Sequence, residues 1–372
     1  MKLRNLLIVV AVLAALSIAV FFVRRPSAPP SADSRLGQPL VTTATLEKAA
    51  KLRVSDQGKT VVLAKQDDGT WRVTSFYDLP ADFGKISRLV GELSAAKLER
   101  LVTSNPERIG RLEFKDTKIE LLDAADKELW SVSWGKNAEA GGGRFARFGS
   151  EQKAYLASFT AWLDAEAKNW PDPQLLNLKP DDIAKIEVPF AEGGPVIVSR
   201  AKKEDAWTAG STPGGQRVKA DRISSLLNSI GSVRFSETSD PADAAVSAAK
   251  ANARVFKLTT FEGKSVAVTL GRKPGEKKLK PPAADTKSGP AALGSLADAA
   301  KTEPPKPLEP EFETIPAGPA YVAIAHSDAS APINAIMQKR AFQIAEHVFT
   351  GLPQNADELF EPVPAPAPPA AK

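Results

Sequence analysis

The sequence predicts an α+β protein: an N-terminal transmembrane helix followed by two tandem repeated modules, each an antiparallel sheet with packed helices. Three observations predict it. An uninterrupted apolar run stands near the start, short alternating stretches are separated by tight Asp/Gly turns, and the same order of landmarks is met twice. A chain of 372 residues is long enough for two domains with their own cores.

The apolar run extends from Leu6 to Val23, 18 residues broken in polarity only by Ser17, and as a helix it is about 27 Å long. That nearly matches the hydrocarbon core of a bilayer. Lys2 and Arg4 precede it and Arg24 and Arg25 close it, with side chains that snorkel to headgroups. A cleaved signal peptide is the competing reading, but two arginines follow directly and no small-residue cleavage site does. Residues 1–25 are therefore read as an uncleaved signal anchor and 26–43 as a linker. The very short N-terminal tail favours leaving that end inside, with the bulk of the chain extracytoplasmic.

The first module is expected over 44–172. Lys51 to Ser55, Thr60 to Lys65 and Thr70 to Thr74 alternate in the period of a strand and are separated by Asp-Gln-Gly and Asp-Asp-Gly. Turns that tight join antiparallel neighbours. Ile86, Leu89, Val90 and Leu93 then lie at i, i+3, i+4 and i+7, one face of an amphipathic helix, with Asp82 placed to cap it. Further strands are expected near Leu98 to Thr103, Lys118 to Leu122 and Glu128 to Trp134. Phe159, Trp162 and Leu163 suggest a second helix.

The second module is expected over 173–353. Ala184-Lys185-Ile186-Glu187-Val188 echoes Ala50-Lys51-Leu52-Arg53-Val54, and Trp207 echoes Trp71. Ile223, Leu226, Leu227 and Ile230 repeat the helical spacing behind Asp221, a second candidate cap. SVAVTLGRK then parallels ELWSVSWGK. Trp71 stands 35 residues before Pro106, and Trp207 stands 34 before Pro241. Agreement at that many landmarks is the signature of an internal repeat. The interval 273–318 holds nine prolines and seven lysines; with little apolar periodicity it is expected to be a disordered insertion. Residues 354–372 are read as a Pro/Ala-rich disordered tail.

Composition removes several function classes. The formal charge is +5, but 49 basic residues alternate closely with 44 acidic ones. No basic block with interleaved aromatics stands out, so nucleic acid is not an expected partner. Cysteine is absent, which removes disulfides, thiol nucleophiles and cysteine metal sites together.

Gly69, Trp71 and Val73, then Pro80, Ala81 and Asp82, then Ser104, Asn105, Pro106 and Glu107 form a pattern that resembles the family catalogued as domain of unknown function 4340. With the anchor and the repeat, the likeness covers most of residues 1–272. The second copy departs from it, lacking the glycine before Trp207 and the proline before the helix. The resemblance implies a bacterial membrane-anchored protein, associated in many members with gliding-type ABC transport systems, and it assigns no chemistry.

The residues that carry chemistry elsewhere read here as structure. His326 with Asp328 is a weak acid-base or metal pattern, and His347 stands alone. Gly141-Gly142-Gly143 lacks the Gly-Lys-Ser/Thr of a phosphate cradle. Asp67-Asp68 and Asp181-Asp182 sit in turns, where aspartates mostly bond their own backbone. Trp130, Trp134, Trp162 and Trp170 allow a sugar-stacking or partner surface, but Trp130, Val132 and Trp134 share one strand face and read more simply as core. No catalytic, cofactor or metal residue is assigned. The expectation is a non-enzymatic accessory or scaffold protein, single-pass in the inner (cytoplasmic) membrane, with ABC transporter subunits or envelope proteins as partners. A binding module for cell-envelope glycan or another ligand is the alternative, and a membrane-tethered hydrolase a poorer one.

Overall fold

Alternation in β1 (Lys51–Asp56) sends Leu52 and Val54 to a buried face while Lys51, Arg53 and Ser55 face outward. This is the local rule from which both halves of the fold are built. The computed structural model describes residues 34–139, 142–279 and 312–363, and the chain divides into two compact units between Asp172 and Pro173. The expected anchor, Leu6 to Val23, lies outside the described residues. Among those described, no helix is long and apolar enough to cross a membrane.

In the first unit α1 (Thr43–Lys48) leads into β1, β2 (Lys59–Lys65), β3 (Trp71–Val73) and β4 (Leu79–Pro80). Gln57 and Gly58 both take positive φ, +49° and +76°, the backbone that a two-residue turn between right-twisted strands requires. α2 (Phe83–Ala95) follows, then β5 (Leu98–Thr103), α3 (Pro106–Gly110), β6 (Lys118–Leu122), β7 (Glu128–Asn137), β8 (Arg144–Phe148) and β9 (Ala154–Ala157). The sheet order is β4-β3-β2-β1-β6-β7-β8-β9-β5, with neighbours antiparallel. α2 buries Ile86, Leu89 and Leu93 in a core with Leu52, Val54, Ile119, Val132 and Trp134. Asp82 caps it, accepting the Lys85 amide at 3.2 Å.

The second unit runs β10 (Ile183–Val188), β11 (Val196–Ser199), β12 (Thr208–Ala209), β13 (Gln216–Val218), α4 (Ala220–Gly231), β14 (Phe235–Ser239), α5 (Ala244–Ala251), β15 (Ala253–Thr260) and β16 (Ser265–Arg272). After β17 (Glu276–Leu279) and β18 (Phe312–Ile315) come β19 (Ala320–His326), α6 (Pro332–Lys339), β20 (Ala341–Ile344), α7 (Glu346–Thr350) and β21 (Phe360–Pro362). Its main sheet has the order β12-β11-β10-β15-β16-β19-β20-β14. Matched strand for strand along the chain, this is the order of β3-β2-β1-β6-β7-β8-β9-β5 in the first unit. α4 buries Ile223, Leu226, Leu227 and Ile230, the spacing that predicts its face. The protein is thus α+β, with antiparallel sheets and few helices.

Several expectations are corrected. Asp221 does not cap α4: Lys219 holds the cap position without a side-chain bond, and Asp221 lies inside the first turn, where its charge favours the helix dipole. Phe159 to Leu163 form no helix. Ser158 is tied to Lys97 through both its amide and its hydroxyl, and Asp164 turns on the Glu166 amide while its carbonyl accepts Trp170 Nε1 at 2.8 Å. A side chain that bonds its own backbone competes with helix formation. The end of the expected linker packs as well: Leu40 and Val41 are 4% and 2% exposed, and Leu40 O accepts Trp130 Nε1 at 2.9 Å.

The interval read as a disordered insertion carries an antiparallel ladder at its described ends, β17 with β18, closed at its base by Gly318 N to Lys273 O at 3.0 Å. Its interior, 280–311, lies outside the described residues. The start of the expected tail is also built in. Asn355 and Glu358 form a capping box, Leu359 is fully buried, and β21 pairs with β13.

Candidate functional site

Three of the polar residues singled out by sequence, Asp68, His326 and Asp328, bond within their own turns. Asp68 accepts the Thr70 amide and hydroxyl at 2.9 and 2.6 Å, and the hydroxyl bond holds its carboxyl below the usual range. Asp181 pairs with Lys203 at 2.8 Å, and that hydrogen bond lowers its pKa. His326 Nδ1 accepts the Asp328 amide at 3.0 Å, and Asp328 in turn holds Ser330. His347 lies in the short α7 and is not brought near His326 by any bond. Gly143 has φ +132°, and a Cβ there would meet Ala157 O at 2.0 Å, so it serves a close strand approach. Gly141 lies outside the described residues. Among the described residues no group of three His, Cys, Asp or Glu could hold a metal ion.

The tryptophans divide. Trp134 is 1% exposed and stacks on Phe159 with centroids 4.4 Å apart. Trp130 packs half-buried on the same core, and Trp170 is 4% exposed. Trp162 is 88% exposed, although Phe159 and Leu163 on either side are buried. An indole turned to solvent between two core residues is the anomaly that locates the strongest candidate site.

A break in the β7–β8 ladder builds that site. Trp134 pairs with Ala146 and Asn137 with Arg144, so three steps on β7 oppose two on β8, which is a bulge at Gly135 and Lys136. The bulge releases Lys136 N to Leu112 O at 2.9 Å and aims Gly135 O at Arg144 Nε, 2.7 Å away. Gly135 has no room for a side chain, since a Cβ would meet Leu112 O at 2.4 Å.

The result is an open cleft of about 530 Å³ lined by Arg144, Asn137, Asp116, Trp134 and Trp162, within the about 300–1,000 Å³ range of small-molecule sites. Asp56, Glu113, Lys115 and Lys136 contribute further charge. Burial pushes the Arg144 guanidinium below its ordinary pKa, while the charge of Asp56 works in the other direction. Arg144 lies 6.0 Å from the Trp134 ring. Neither of its terminal nitrogens bonds a described residue, and Trp134 Nε1 is buried without a partner. Both are donors that call for an acceptor. On its other side Trp162 lines a second groove with Lys85, Arg88, Glu92 and Trp170.

Sequence reasoning weighed Trp134 and Trp162 here but missed Arg144, Asn137 and Asp116. The signal available was Gly142-Gly143-Arg144, a cation entering a strand directly from a glycine run. A family model described as Domain of unknown function (DUF4340) matches residues 71–253, from β3 of the first unit to the start of β15 in the second. No curated protein and no solved structure matches the chain.

Proposed function

The chain belongs to the DUF4340 family, and from that premise we propose that it is a non-catalytic, single-pass membrane-anchored accessory protein. Its two units are a tandem repeat of one α+β module, presented on the extracytoplasmic face of the inner membrane to a partner complex. The strand order shared by the two main sheets supports the repeat within this reading. Two finer matches support the repeat. Gly135 and Gly271 occupy equivalent strand positions, and an added Cβ would meet a carbonyl of, or just after, a preceding helix in each, Leu112 O at 2.4 Å after α3 and Ala249 O at 2.3 Å within α5. Arg53 lies opposite Glu120, whereas at the equivalent position Glu187 lies opposite Lys257, the same cross-strand pair with its charges exchanged.

The run Leu6 to Val23 with its flanking basic residues supports the anchor, and an ABC-type transport complex is the partner that the family resemblance suggests. Extraction in mild detergent tests the role. Stoichiometric recovery of transporter subunits is expected, and a chain recovered alone overturns it. An alkaline phosphatase fusion at the C-terminus is expected to be active, and an inactive one reverses the orientation.

The cleft beside Trp162 favours a second reading, a binding module for an envelope ligand. An exposed indole next to unspent donors is the arrangement of a recognition site rather than of a packing surface.

A further inference from the structure

We propose that the Arg144 cleft of the first unit binds an acidic saccharide, a pyranose ring bearing a carboxylate. The inference rests on the ligand-binding reading and names the class of ligand.

Three features of the cleft converge on that chemistry. The first is the guanidinium. Arg144 spends only Nε within the protein, on Gly135 O at 2.7 Å, so its two terminal nitrogens remain as a planar fork. A carboxylate fits that fork with two parallel hydrogen bonds. Burial raises the value of such a pair, because the cation has already lost part of its water. Trp134 lies on the same lining with its Nε1 buried and unpaired, so its indole proton reports changes beside Arg144.

The second feature is Trp162. At 88% exposure, its ring contributes little to the core and offers a flat apolar face to the C–H side of a sugar ring. The third is the mixture of acceptors. Asp116 and Glu113 line the cleft beside Asn137, and Asp116 spends one oxygen on the Gly58 amide at 2.6 Å. Carboxylates accept from hydroxyls, and a carboxamide both accepts and donates. A planar aromatic acid would leave these carboxylates facing its apolar edge, and a phosphate dianion, with no hydroxyls to offer them, would be repelled by them. A uronate ring offers hydroxyls to the carboxylates and its own carboxylate to Arg144.

Titration of the full chain in detergent micelles with trigalacturonate tests the assignment, followed by the shift of the Trp134 indole proton and by calorimetry. The neutral methyl ester of trigalacturonate serves as control, since it keeps the rings and removes the charge. Saturable binding is expected, weakened about tenfold or more by esterification and by Arg144→Gln, and several-fold by Trp162→Ala. Trp162→Ala removes a solvent-facing ring, so it reads binding even if Arg144→Gln disturbs the bulge. If acid and ester bind alike and Arg144→Gln changes nothing, the acidic class is wrong while the binding-module reading stands. If neither saccharide binds up to about 10 mM, both the inference and that reading fall.

Discussion

Trp134, Trp71 and Trp162 show how far one residue type diverges with its surroundings in a single unit. Trp134 is 1% exposed and stacked on Phe159, so Trp134→Ala should cost about 3–5 kcal/mol through the cavity it leaves. Trp71 is only half-buried against the core, and its replacement by Ala should cost less, about 1–3 kcal/mol. Trp162→Ala should stay within about 0.5 kcal/mol of the parent. Urea unfolding of the three variants checks the order, and a large loss at Trp162 would place it in the core. Sequence alternation was enough to put Trp134 inside. It could not turn Trp162 outward, because its spacing from Phe159 and Leu163 matches a helix, and only the Asp164 turn shows that no helix forms.

A titration belongs to the same scale. Glu128 accepts the Ser131 hydroxyl at 2.6 Å and pairs with Lys118 at 3.3 Å. The hydroxyl bond first, and the lysine after it, hold its carboxyl below the ordinary 4.5 against the opposing effect of burial. A depressed folded-state pKa gives stability that is fully present above the unfolded value and lost as pH falls through the folded one. Ser131→Ala should therefore move the Glu128 titration up toward 4.5, removing stability at neutral pH and shrinking the part that is lost on acidification. Carbon-detected NMR of the side-chain carboxyl reads the shift, and an unmoved midpoint refutes the assignment.

At the scale of elements, period and pairing were legible to different degrees. β1, β5, β6 and the faces of α2 and α4 follow from alternation and from the i, i+3, i+4, i+7 spacing, since local burial alone determines them. The pairing of β13 with β21 and of β17 with β18 was not legible, because it joins short segments far apart in the chain with weak apolar patterns of their own. The Asn355 to Glu358 capping box was in the sequence throughout, and the proline-rich residues after it drew the boundary too early. The bulge that builds the cleft left only a glycine run as its mark.

The exchanged charge pair makes a test at this scale. Arg53→Glu places like charges opposite each other across β1 and β6 and should cost about 1 kcal/mol. Adding Glu120→Lys recreates the arrangement of Glu187 and Lys257 and should recover about half of that, the remainder being lost because Lys118 bonds Glu120 at 2.7 Å. A double variant no better than the single one would mean that the pair is not coupled. Gly271→Ala should cost about 1–3 kcal/mol by overpacking against Ala249 O, 2.3 Å from the added Cβ.

For the whole molecule, each unit holds what independent folding requires. The first closes a nine-stranded sheet over the buried side of α2, and the second closes an eight-stranded sheet over α4. In both, that helix leads to the strand at one edge of the sheet, β5 or β14, and every strand of each main sheet comes from its own unit. A fragment ending at Asp172 and a fragment beginning at Pro173 should each unfold in one cooperative urea transition. Their denaturant slopes should add up to the surface exposed by the intact chain. The proline-rich tail makes a sharper version of the same test in the second fragment. Truncation before Asn355 removes β21 and the buried Leu359, leaving β13 without a partner, and should destabilise that unit by several kcal/mol. Truncation after Val363 should leave the transition where it was, and equal effects of the two truncations would refute the place given to β21 in the fold.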